Sequence, residues 1–308
     1  MFVGYIFLLI ALLCGVTKGY CGKRSSGTIT YTSDALIVNT LRMTLCILIG
    51  FIMLAFGGKI SQLAVSSSVL GIAAISGITT SAFVVSWLLS VRTGAYMMVD
   101  VCLMIGIIIP MVLCDILYGE KITVWQWIGI ALLVIAGYIM CTYNAKLKGK
   151  MKISALLLLV ICAVSNGITD FSQKMFVKTA PQVDVAVFSF YTYLFSALTL
   201  AACFPIFRAI DKKAAKLDGA PKIQNPVSVI KPIAIYVAIM AVCLFLNSYF
   251  KTAAAHRLDA TQIYPISQGG SLMLSMLMSH FFFKEKINLR AIVGIVLCLG
   301  ALLIINLT

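Results

Sequence analysis

The 308-residue sequence predicts an all-α integral membrane protein with ten transmembrane helices, arranged as two inverted five-helix repeats. Three observations carry that prediction. Hydrophobic residues make up 61% of the chain and charged residues only 11%, where soluble domains carry about 25% charged residues. The mean hydropathy is +1.05. The chain also repeats itself: residues 118–140 read YGEKITVWQWIGIALLVIAGYIM and residues 283–305 read FKEKINLRAIVGIVLCLGALLII. A shift of 165 residues sets Glu120 on Glu285, Lys121 on Lys286, Gly129 on Gly294 and Arg92 on Arg257.

A bilayer core takes about 20 apolar residues per helix. Ten stretches meet that need: 2–21, 34–56, 64–90, 95–118, 123–143, 153–175, 185–207, 230–250, 260–283 and 288–307. Only short connectors remain, so the expectation is one membrane domain, with a first repeat at 1–145 and a second at 146–308. No basic segment precedes the first apolar run and no small-residue cleavage site follows it, so that run reads as a retained first helix. Residues 208–230, with Asp211, Lys212, Lys213, Lys216, Pro221 and Pro226, read as a solvated, weakly ordered loop where a partner or anionic lipid would dock.

The net charge of +14 would suggest nucleic acid on a soluble protein. Here the basic residues sit mostly in connectors, so no nucleic-acid partner is expected. The odd-numbered connectors hold 16 of the 24 Lys and Arg and the even-numbered ones hold 6, with Lys18 and Arg42 inside helices. The positive-inside rule then puts the odd connectors in the cytoplasm and both termini outside. The two Glu-Lys turns fall in connectors four and nine, on opposite faces, which makes the repeat an inverted one. Of the ten cysteines, Cys14, Cys46, Cys102, Cys114, Cys162, Cys203, Cys243 and Cys298 lie in apolar runs. No CxxC pair or His cluster accompanies them, so they read as small hydrophobes with no metal and no cofactor. No Ser/His, paired-Asp or HExxH spacing suggests an enzyme.

Charge inside a membrane helix costs about 2.5–3.5 kcal/mol at the centre, and it persists where a cavity or a partner receives it. Asn166 and Asp170 lie one turn apart in helix six, flanked by Thr169 and Gln173. They are expected to line a pathway, with Asp170 as the coupling candidate; the alternative is that Asp170 pairs with Lys174 at i+4. CGVTKG at 14–19 resembles CAVSNG at 162–167, which sets Lys18 on Asn166. Lys18 is then a partner for Asp170 or for an anionic substrate, unless it snorkels to the interface. Arg42 in helix two is a further candidate. Asp100, Asp115 and His280 read as interfacial. In helix nine, Tyr264, Gln268, Ser271, Ser275 and Ser279 form one polar face, and Pro265 with Gly269 and Gly270 permits a bend. Asn247 is the polar candidate in helix eight. In helix three, Ala73, Gly77 and Ser81 form a small-residue packing row.

The doubled helix–Glu-Lys–helix unit resembles the drug/metabolite transporter superfamily, in its ten-helix EamA-like branch. The last fifty residues, from TQIYPISQGG onward, also resemble the last two helices of small multidrug resistance proteins. The resemblance implies a cavity lined by helices one to four and six to nine, helices five and ten at the periphery, and movement of a small metabolite by alternating access. The expected partners are a small-molecule substrate and membrane lipid, with a homodimer left open. The family is usually described with cytoplasmic termini, opposite to the charge count. Two departures bear on the chemistry. Small multidrug resistance proteins carry a membrane Glu eight residues before a Lys; with Lys23 and Lys174 as those lysines, Gly15 and Asn166 stand at the Glu positions. Tyr264 matches their substrate-facing Tyr, but Ser267 replaces the Trp, which removes a stacking surface for a flat cation. Lys18, Arg42, Asn166, Asp170, Asn247, Tyr264 and Gln268 therefore suit a zwitterionic or amino-acid-like metabolite, with multidrug efflux, a lipid-headgroup flippase and a non-transporting scaffold as the alternatives.

Overall fold

A computed structural model describes residues 2–92, 96–141, 153–217, 223–283 and 289–307. Helix one is Phe2–Ser25, helix two Thr32–Phe56 and helix three Ser67–Arg92. Helix four comes in two pieces, Tyr96–Gly106 and Ile108–Tyr118, broken at Ile107. Helix five is Val124–Cys141, helix six Ile153–Thr179 and helix seven Val185–Leu217. A short helix, Pro226–Ile230, and a tight turn lead into helix eight, Ala234–Ala255. Helix nine is Ala260–Phe283 and helix ten Leu289–Leu307. The described residues contain no strand.

Helices one, two, three, four, six, seven and eight are long and apolar enough to cross a membrane. Five and ten carry shorter apolar segments, Val124–Ile139 and Ile292–Asn306. Helix nine has the length, 24 residues, but carries the polar stripe. The chain is an all-α membrane protein, as the apolar runs predict.

The packing follows the repeat. Helix one lies chiefly on helix eight, as helix six lies on helix three. Helix two pairs with seven, four with nine, and five with ten. A two-fold axis exchanging helices one to five with six to ten produces these pairings. An odd number of spans per half puts that axis in the membrane plane. Helices five and ten pack on each other at the margin, so the remaining eight surround the centre. The expected boundary at residues 145/146 lies outside the described residues.

Small residues set the closest approaches. A methyl group on Gly106 would meet the Ala163 carbonyl oxygen at 2.6 Å, and one on Gly167 would meet the Gly106 carbonyl oxygen at 2.6 Å. Helices four and six therefore touch backbone to backbone. Gly77 meets helix seven the same way, 2.6 Å from the Thr192 carbonyl oxygen. One turn on, Ser81 Oγ lies 3.0 Å from Ser196 Oγ. The small-residue row of helix three is thus a packing surface. Gly269 and Gly270 also serve packing, against Leu302 and Leu12, and helix nine runs unbroken through them. A break in a spanning helix occurs in helix four, at Ile107.

The expected loop at 208–230 is corrected where it is described, since 208–217 and 226–230 are helical; residues 218–222 lie outside the described residues. Helix seven continues to Leu217, past Pro205, because its charged tail has partners. Asp211 accepts a hydrogen bond from the Ser33 amide at 2.7 Å, and Arg208 reaches Asp34 at 3.8 Å and donates to the Gln224 carbonyl at 2.6 Å. Asp34 itself caps helix two, accepting from the Thr30 and Tyr31 amides at 3.1 and 2.9 Å.

Candidate functional site

Helix six supplies the centre of the site. Asn166, Asp170 and Gln173 share the face that the one-turn spacing predicts, and all three line a central cavity. The cavity holds about 830 Å³ of atom-free space, including solvent at its mouth. Of the predicted residues, Lys18, Asn166, Asp170, Asn247 and Gln268 line it together. Tyr264 and Arg42 stand behind its wall. Tyr264 is 1% exposed and donates from its hydroxyl to the Asp170 backbone carbonyl at 2.7 Å, which fixes helix nine to helix six. Arg42 is also 1% exposed: Nη1 lies 3.9 Å from Met240 Sδ, and Nε has no hydrogen-bond partner among the described residues.

Asp170 does not pair with Lys174, the alternative that i+4 spacing offered. Its Oδ1 accepts from Lys251 Nζ of helix eight, and its Oδ2 from Asn166 Nδ2 at 3.3 Å. Both members of the ion pair are buried. Lys174 points the other way. It meets Glu120 at 3.0 Å and donates to the Leu258 and Ala255 carbonyls at 2.7 and 3.3 Å. Glu120 also meets Lys178 at 2.9 Å and accepts from the Ala260 amide at 2.8 Å. Gly119, at φ 67°, makes the left-handed turn that ends helix four and presents Glu120 to these partners. Burial raises the Glu120 carboxyl's hold on a proton, but the Ala260 amide, Lys178 and Lys174 outweigh it and keep the group below the usual glutamate range.

Lys18 stands over two aromatic faces, 5.6 Å from the Phe83 ring centre and 5.9 Å from that of Trp87. No acid lies within ion-pair distance of it among the described residues. Asp100 is not interfacial, as the sequence suggested. It is 7% exposed and lines the same cavity. Ser275 hydrogen-bonds its carboxyl group, and Oδ2 has no partner among the described residues. In helix eight, Asn247 donates to the Ala11 carbonyl at 2.6 Å. Its amide nitrogen would sit 3.1 Å from a methyl group on Gly15. The position where the resemblance would place a glutamate is therefore filled from across the cavity.

Sequence reasoning missed Lys251, Asp100 as a cavity residue, and the wall of Thr80, Phe83, Trp87 and Tyr193. A signal existed for Lys251. It lies one turn after Asn247, the same spacing as Asn166 and Asp170, but it directly follows an apolar run and reads as a boundary.

A helix bundle with an internal two-fold and a charged midline cavity defines a multi-pass membrane transporter. The EamA-like transporter family model matches residues 153–307. This chain belongs to the EamA-like transporter family, within the drug/metabolite transporter superfamily, whose members are transporters and not enzymes. A solved structure described only as "Crystal structure of protein" is similar over 99% of this chain and 96% of its own, with a TM-score of 0.72 and 14% identity. That likeness extends the shared fold across both halves. Curated proteins give no match.

Proposed function

We propose that this protein is a secondary transporter that moves a small zwitterionic, amino-acid-like metabolite across the cell membrane by alternating access. One observation carries the reading: Lys18 and Asp100, side chains of opposite charge, line the same cavity, and neither makes an ion pair within 4 Å among the described residues. Charge kept out of water needs a partner, and a zwitterion brings both. Its carboxylate meets Lys18 and its ammonium meets Asp100. Asn247 and Gln268 offer amides for the polar remainder. Asp170 is the acid assigned to coupling, since it borders the cavity and its counter-ion, Lys251, does too. Rocking of one repeat against the other around this midline site supplies the alternating access.

Multidrug efflux fits less well. An aromatic wall exists in Phe83 and Trp87, but the Lys18 ammonium already occupies those ring faces. A lipophilic cation would meet a like charge there. The test is a thermal-shift screen of the purified protein against amino acids, their amides and hydrophobic cations, repeated with Lys18→Met and Asp100→Asn. Stabilisation by zwitterions that both substitutions abolish supports the reading. Stabilisation by hydrophobic cations alone contradicts it.

A further inference from the structure

Lys18, Lys174 and Lys251, three lysines of the membrane-spanning bundle, differ in how many of their three ammonium donors are used. Lys174 is saturated, with Glu120, the Leu258 carbonyl and the Ala255 carbonyl as acceptors. It lies outside the cavity wall, as a structural ion should. Lys251 has one acceptor among the described residues, Asp170 Oδ1. Lys18 has none, only ring faces. These two line the cavity. Spare donor capacity is therefore concentrated where a ligand would sit, and it comes from two cations on helices one and eight, which pack closely together.

The spare acceptor capacity is smaller. Asp170 has both oxygens engaged, by Lys251 and Asn166. Asp100 keeps one oxygen without a partner. Arg42, behind Tyr193, adds a third buried cation with no acid beside it. Around the cavity, Lys18, Lys251 and Arg42 stand against Asp100 and Asp170, three cations to two anions, which leaves one positive charge. A neutral zwitterion leaves that charge standing. A ligand with one ammonium and two anionic groups removes it and matches the open positions group for group.

We infer that the substrate is an acidic zwitterion: its ammonium is held at Asp100, one anionic group at Lys18, and the second anionic group at the open donors of Lys251. The second group is a carboxylate or a phosphate, as both accept from an ammonium in the same way. Lys251 is then a specificity-determining residue, choosing acidic over neutral zwitterions, and Asp170 holds it while the site is empty. This inference rests on the zwitterion reading above.

The experiment is binding to the purified full-length protein, read by thermal shift and by isothermal titration. The probes are L-glutamate and L-aspartate, their amides L-glutamine and L-asparagine, O-phospho-L-serine against L-serine, and a hydrophobic cation. The expected result is a preference of at least about tenfold, or 1.4 kcal/mol, for an acidic probe over its neutral partner. Glutamate and phosphoserine separate the carboxylate from the phosphate. Lys251→Met reduces the preference below about threefold while neutral zwitterions still bind. If that variant does not fold, Asp170→Asn/Lys251→Met removes both charges, spares an orphaned ion, and gives the same loss of preference. Equal binding of acidic and neutral zwitterions overturns this inference and leaves the zwitterion reading standing. An undiminished preference in either variant overturns the role of Lys251. Binding of the hydrophobic cation alone overturns both readings.

Discussion

Glu120 of connector four and Lys174 of helix six stand 3.0 Å apart and tie the first repeat to the second. Lys178 and the Ala260 amide join at the same carboxylate, so one glutamate links helix four to helices six and nine. Lys59 and Asp184 make a second ion pair on the same face, between connectors two and six. Under the alternating access proposed above, this face opens, and these are the contacts that part. Glu120→Gln therefore weakens closure and lowers the melting temperature by a loss of about 1–3 kcal/mol. An unchanged melting temperature would remove Glu120 from that role.

The same carboxylate sets a pH dependence. Its folded proton affinity is depressed, because the Ala260 amide, Lys178 and Lys174 outweigh burial. A depressed acid stabilises the closed face above its unfolded value, about 4.3 for glutamate, and that stabilisation is lost as pH falls through the lower folded value. The melting temperature of wild type should accordingly fall below about pH 4 more steeply than that of Glu120→Gln. Parallel curves for the two proteins count against this account.

Asp170 and Lys251 behave as a buried pair. Asp170→Asn alone leaves the ammonium without its acid and costs about 3–5 kcal/mol. Asp170→Asn/Lys251→Met recovers most of that loss, because both charges are gone. Chemical or thermal denaturation of the two variants measures the difference. A double variant no more stable than the single one means the pair is not coupled.

The repeat, the ten spans and the helix-six face were legible because each is periodic: apolar length fixes a span, and a four-residue step fixes a face. The partners were not. Lys251 follows the apolar stretch of helix eight and reads as its end, although helix eight runs on to Ala255. Asp100 lies near the start of helix four and reads as interfacial, yet it is buried and Ser275 of helix nine hydrogen-bonds it. Arg208 to Lys216 read as loop because nothing local shows that the Ser33 amide and Asp34 await them. Each miss depends on a contact between distant segments, which periodicity does not carry.

Close packing gives a sharper contrast. Gly167→Ala puts a methyl group 2.6 Å from the Gly106 carbonyl oxygen, and backbone cannot step aside cheaply. The expected cost is about 1–3 kcal/mol or more. Gly71→Ala meets nothing within 4 Å and gains the better helix propensity of alanine, by about 1 kcal/mol at most. Paired melting curves check both signs.

Topology is also open to test. The structure draws eight of the 16 odd-side cations (Lys23, Arg24, Arg92, Arg208, Lys212, Lys213, Lys216 and Arg290) and three of the 6 even-side ones (Lys174, Lys178 and Lys251) into helices, so the charge asymmetry keeps the ratio the sequence has. Ser61, exposed on connector two, should then face outward. Impermeant maleimide on intact cells should label Ser61→Cys above the wild-type background. Labelling only after permeabilisation reverses the orientation.

Transport itself is the most direct test of the central claim. Proteoliposomes are preloaded with an unlabelled amino-acid mixture, acidic members included, and given the labelled mixture outside. The account predicts accumulation of label by exchange, abolished by Lys18→Met and by Asp100→Asn. Accumulation no greater than in protein-free liposomes, together with uptake of a hydrophobic cation, would contradict it.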